Sequence, residues 1–312
     1  MIRLLNSELL RLRSRRLVVV LLLGAFLGAA VSAVIAAIQS TPPGPDALAE
    51  ARAQAEQEYQ NCLAGPWTEE ELQGLSLEEF CRTNFGDPAF FAPSHLRLAE
   101  LPQILEGTAS LTIIIGLVLG ASAMAVSWQT GTISTILTWE PRRIRWYSAR
   151  TVIALAGVLV VVLAIIAFLS VCLAVAAWLR GSTEGVDAAW WRDVAATSLR
   201  IGVAAAIAAA LGTGLAAVGQ RTAAALGAVF VYAAVLEGIV RALRPTWTLW
   251  LLGDNFVTFV SWDTSSVFVE NAAGGFGGSL VLTPERALFV ILGYAALSFL
   301  LGLAFVRIRD VQ

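Results

Sequence analysis

Six runs of this chain hold more consecutive apolar residues than the surface of a soluble domain can carry. They are Leu17 to Ile38, about Ile104 to Val126, Thr151 to Leu179, about Val194 to Val218, about Thr222 to Leu243, and Glu285 to Val306. A helix crosses the hydrocarbon layer in roughly 20 residues, so each run is long enough to span it. Lipid offers no partner to a backbone N–H or C=O, so a spanning segment must satisfy both internally, as a helix does. Composition agrees: 57% of residues are hydrophobic and 14% charged, against about 45–50% and about 25% in soluble domains. The expectation is an all-α membrane protein of six transmembrane helices.

Arginine placement sets the expected orientation. All 21 basic residues are arginine. Arg3, Arg11, Arg13, Arg15 and Arg16 precede the first run. Arg142, Arg143, Arg145 and Arg150 cluster in the 127–150 hairpin, Arg221 sits in the turn after the fourth run, and Arg307 and Arg309 lie in the 307–312 tail. If the runs alternate in direction, all of these share one side, which the positive-inside rule makes cytoplasmic, with both termini. Within residues 1–16, Ile2, Leu5, Leu9 and Leu12 share a helical face, as expected of an amphipathic helix lying on anionic lipid. Ser14-Arg15-Arg16 is similar to a twin-arginine export signal. The run that follows is longer than the ~7–15 residues of a signal core and ends without a small-x-small cleavage site. It therefore reads as an uncleaved first membrane helix, over 17–39. No basic block is long enough to suggest nucleic acid as a partner.

Residues 40–103 form a polar insert on the opposite, extracytoplasmic side, entered through Pro42, Pro43 and Pro45 and rich in acids. Ala47 to Tyr59 favours helix, and Ser76 with Glu79 three residues on has the form of a capping box. Cys62 and Cys81 both lie here, and an oxidising compartment makes them a disulfide. By loop entropy that bridge contributes about 3 kcal/mol. His95 is the only histidine and the spacing lacks CxxC, so a metal site is disfavoured. Residues 104–306 hold the other five helices. Within them 244–284 is too punctuated to span twice, so it is expected to lie in the interface or to dip in as a re-entrant segment, its glycines acting as a connector.

Charges inside apolar runs are functional markers. Arg200 and Glu237 flank the tight turn at Gly219–Arg221, on helices expected to be antiparallel neighbours. The reading pairs them across the two spans. Small residues mark close helix approach: Gly116 and Gly120 in GxxxG spacing, and Gly202, Ala206, Ala210 and Gly214 every four residues. The segment Gly214 to Thr222 has the spacing of a phosphate loop but places Gln220 where lysine must reach the phosphates. No ATPase site is expected in this chain.

The hairpin carries the most specific signal. Ile133, Ile136 and Leu137 fall at helical spacing and Pro141 ends that helix. Gly131-Thr132-Ile133, Leu137-Thr138, Pro141 and Arg142-Arg143 resemble the cytoplasmic hairpin of ABC exporter type-2 permeases. Ser127 stands where that family often has glutamate, and Arg150 where it usually has lysine. The resemblance implies that Thr132 to Trp139 is a coupling helix seated on a separate ATPase, with Thr132, Ile133, Ile136, Leu137, Trp139, Arg142 and Arg143 at the contact. It further implies partner ABC ATPase subunits that carry ATP and Mg, a second permease copy or homologue, membrane lipid around both, and a multi-pass place in a bacterial-type plasma membrane. Two other classes remain open. One is a proton-coupled secondary transporter using Glu237; the other is a non-transporting membrane anchor or receptor built around the acidic insert.

Overall fold

The computed structural model describes residues 16–40, 44–67, 76–93, 95–139, 142–270 and 276–308. The expected interfacial helix at the N-terminus, Pro141 and Arg309 lie outside these. In chain order the helices are α1 (Arg16–Gln39), α2 (Pro45–Leu63), α3 (Leu77–Phe85), α4 (Leu101–Gln129), α5 (Thr132–Trp139), α6 (Arg143–Arg180), α7 (Ala188–Gly219), α8 (Thr222–Val231), α9 (Glu237–Leu243), α10 (Leu252–Ser261) and α11 (Pro284–Ile308). A π-helical turn, Tyr232–Leu236, joins α8 to α9. Among the described residues six helices are long and apolar enough to cross a membrane, the fifth being Thr222–Leu243 as a whole. The chain is a multi-pass membrane protein.

A two-stranded sheet departs from the helical pattern between α10 and α11. Strands β1 (Ser265–Glu270) and β2 (Phe276–Leu282) pair antiparallel, Ser265 opposite Leu282, with a register shift between Phe268 and Glu270. The glycines expected to form a connector thus lie partly inside a strand, at Gly277 and Gly278.

The chain divides into two compact units. In the larger, α7 is the central helix and small residues bring its neighbours to backbone contact. A methyl group at Gly116 or Gly120 would collide with the carbonyls of Ala205 or Ala209, and one at Gly212 with that of Leu117. On another side Gly214 lies against Ser298 of α11, whose Oγ donates to Leu211 O at 3.0 Å. Gly202 meets Leu159 and Leu163 of α6. The four-residue stripe on α7 therefore serves several neighbours. At 3.6 residues per turn each step of four drifts by about 40°, so Gly202 and Gly214 point about 120° apart.

At the hairpin end of this unit the turns are short. Gly131, at φ +66°, links α4 to α5, and Gln220, at φ +56°, links α7 to α8. The long helix α6 starts eight residues before the apolar run, because Trp146, Tyr147 and Arg150 are buried rather than solvated. Arg150 Nε donates to Ala123 O at 2.7 Å, holding α6 to α4.

The smaller unit contains the insert. α2 and α3 are joined by the Cys62–Cys81 disulfide, both sulfurs buried. Ser76 accepts from Glu79 N as the capping reading expects. Trp67 closes the hairpin: its ring meets Phe80 at 5.1 Å and its Nε1 donates to Cys62 O. Ser40, at the end of α1, donates to Arg180 O and accepts from Leu96 N. Leu96 and Leu98 exchange backbone hydrogen bonds with Ser182, so one buried serine ties the ends of α1 and α6 to the returning insert.

The close approach at α4 and α7 has a direct test. Gly212→Val is expected to cost about 1–3 kcal/mol, the usual penalty of overpacking. Gly227→Val, where an added Cβ meets nothing within 4 Å, should be close to neutral. Thermal unfolding midpoints in detergent compare them, and equal midpoints would contradict the packing.

Candidate functional site

The polar centre of the larger unit is built around α10. This ten-residue helix packs against α4, α7 and α11, with Asn255, Phe256, Thr258, Phe259 and Val260 buried. A short helix among apolar neighbours has a problem at each end, where unpaired N–H and C=O groups need partners. The fifth span supplies those at the start. Leu252 N donates to Tyr232 Oη at 3.2 Å and Gly253 N to Glu237 Oε1 at 2.9 Å. A Cβ at 253 would come 2.7 Å from Glu237 Oε2, so a larger residue there would displace the carboxylate from its place at the helix start. At the far end Arg200 Nη1 donates to Ser261 O at 3.3 Å and the guanidinium lies over the Trp262 ring at 5.8 Å. An anion at the N-terminus and a cation at the C-terminus are the signs that the helix dipole favours.

Arg200 and Glu237 therefore do not pair with each other, contrary to the sequence expectation. Glu237 Oε2 lies 3.6 Å from Arg241 Nη2, which also holds Asp254 Oδ1 at 2.9 Å. Arg200 Nη2 donates to Thr197 Oγ1 at 2.7 Å. The reason is level and direction. Counted from their common turn, Arg200 is 19 residues before Gly219 and Glu237 is 15 after Thr222. Those four residues amount to about 6 Å of rise. The π turn then carries Glu237 beside α10, which takes the place next to α7 that the fifth span leaves open. Helix π turns are frequent at functional sites.

Beside Glu237, Arg241 and Asp254 lies a half-open cavity of about 830 Å³, walled by α4, α7, α8, the π turn, α9, α10 and α11. Most of its lining is aliphatic. The exceptions include Glu106, Glu237, Arg241, Asp254 and Ser261, with Tyr232 and Tyr294 in the wall. Tyr294 Oη donates to Trp250 O at 3.2 Å, fixing the segment that leads into α10. Sequence reasoning overlooked Glu106 and Asp254. A lone acid in the second turn of an apolar run was the available signal for Glu106; Asp254 gave none, since its role depends on how α10 folds back.

The hairpin residues divide into two sets. Ile133 is 4% exposed and packs with Met124, Trp146, Tyr147, Ala217 and Val306. Ile136 is half-buried against the same cluster. Arg143 Nη1 donates to Val306 O at 3.3 Å, in the last turn of α11. These three take part in the chain's own packing, Ile133 wholly so, while Ile136 and Arg143 remain partly exposed. Thr132, Ser134, Thr135 and Thr138 line the exposed side of α5, with Arg142 exposed just after it. The side chains of Leu137 and Trp139 lie outside the described residues.

Comparison with protein-family models, curated proteins and solved structures finds no match.

If Arg200 and Glu237 hold opposite ends of α10, each has its own stabilising role. Arg200→Gln and Glu237→Gln should each cost about 1.5–3 kcal/mol, as lost hydrogen bonds to charged groups do. The double variant should be less stable than either single one. Were the two paired directly, the second substitution would cost little more, and unfolding midpoints of the three variants decide between these outcomes.

Proposed function

We propose that this chain is the membrane subunit of an ATP-driven exporter of the ABC type-2 class, in a bacterial-type plasma membrane. The observation that carries the reading is α5. An eight-residue helix, held to the bundle by Ile133 and Ile136, presents a row of hydroxyls at a turn between two long spans, followed by arginines. A connector needs only a few residues; a helix anchored on one side and bare on the other is a docking element. Separate ATPase subunits would carry ATP and Mg and bind this face, and a second permease copy would complete the path through the lipid. By the positive-inside rule the arginine-rich turns support a cytoplasmic hairpin, and the disulfide supports an oxidising compartment for the insert.

The secondary-transporter reading has weaker support. Glu237 accepts a backbone hydrogen bond and faces Arg241, so its carboxylate is engaged in holding α9 and α10 together. The anchor or receptor reading leaves the cavity beside α10 without a use.

The test is purification of the tagged chain from its native membrane. A P-loop ATPase should accompany it. Thr135→Glu, Thr138→Glu and Arg142→Glu together should weaken that association about tenfold or more, while the variant stays monodisperse. Recovery of the chain without an ATPase, or undiminished association of the triple variant, would refute the proposal.

A further inference from the structure

The cavity beside α10 is unequally charged. Three carboxylates, Glu106, Glu237 and Asp254, face one guanidinium, Arg241, across its polar end. Arg241 is already shared between Asp254 and Glu237, and Glu237 has Gly253 N as well. Glu106 is different. Half-buried on α4, it makes no ion pair or hydrogen bond among the described residues. Arg200 and Asp263 are the other charges near it, and their effects oppose each other. Asp254 Oδ2 is likewise buried without a donor. A carboxylate in apolar surroundings is costly unless a cation meets it.

The rest of the lining restricts what that cation can be. The walls below Glu106 are aliphatic on both the α4 and the α7 side, so most of the space suits an apolar body rather than a hydrated ion. No group of three or more potential metal ligands occurs among the described residues. The volume is in the range of sites that enclose a drug-sized molecule. An anion would meet a net negative lining.

We propose that this cavity binds a bulky, mostly apolar monocation, its positive charge nearest Glu106 and its apolar groups along Ile113, Leu117, Leu215 and Leu301. Cationic charge is recognised at one end only, and the body is selected by apolar contact, so the site accepts a class of molecules sharing that layout. Binding needs neither an ATPase nor a second permease. Its failure would therefore leave the exporter reading standing, and the reverse holds as well.

Tetraphenylphosphonium and tetraphenylborate test this, being of the same shape and opposite charge. The full chain is placed in phosphatidylcholine nanodiscs and binding is measured by equilibrium dialysis, with empty nanodiscs subtracted. Saturable binding of tetraphenylphosphonium, and none of tetraphenylborate, is expected. Glu106→Gln should weaken the cation about tenfold or more without lowering the unfolding midpoint. Leu215→Trp, which fills the cavity and leaves Glu106 intact, should also weaken it, so the proposal remains testable if the first variant fails to fold. Equal binding of both ions, no saturable binding of the cation, or a folded Glu106→Gln variant within twofold of the parent would overturn the proposal.

Discussion

Helix α10 is held by two charges that come from different spans, and the polar interior of the larger unit follows from that arrangement. Glu237 receives the N–H of Gly253 and Arg200 reaches the carbonyl of Ser261. Each charge compensates a helix end that would otherwise sit unpaired among apolar side chains, and each end favours the sign it meets. Without α10 between the fourth and fifth spans, both ionised groups would face lipid or each other. With it, the fifth span is free to lean away from α7, and the space between becomes a cavity.

The central position of α7 makes this possible. Its alanines and glycines let α4 and α11 approach to backbone contact, at Gly116, Gly120, Gly212 and Gly214. In lipid the apolar effect does not drive helices together, so such packing and a few hydrogen bonds must suffice. The fifth span has no comparable embrace and is the least buried of the later spans. A three-helix centre in backbone contact thus stands beside a fifth span that few side chains cover, the two joined through α10.

What could be read from the residues alone had local causes. The spans were legible because lipid demands uninterrupted apolar length. Ser76 with Glu79 and Cys62 with Cys81 were legible because capping and disulfide chemistry are properties of a few residues. The hairpin helix from Thr132 to Trp139 was legible because Gly131 and Pro141 bracket it. The partners of Arg200 and Glu237 were not, because level and rotation depend on where α7 begins and on the π turn at Tyr232, neither of which leaves a pattern. Ile133 was expected to face a partner and instead faces Trp146, since helical spacing identifies an apolar face without saying what covers it. The strand at Phe276–Leu282 was hidden by glycines that ordinarily argue against strands.

Amide hydrogen exchange over residues 252–261 in nanodiscs addresses the central claim directly, because it reports whether the backbone of α10 is held. Buried, end-capped helix opens rarely, and a segment lying loosely at the interface opens often. The account predicts protection of 252–261 comparable to that of the buried middle of α7, with Gly253 among the slowest amides. Exchange as fast as in the exposed 183–187 loop would contradict it.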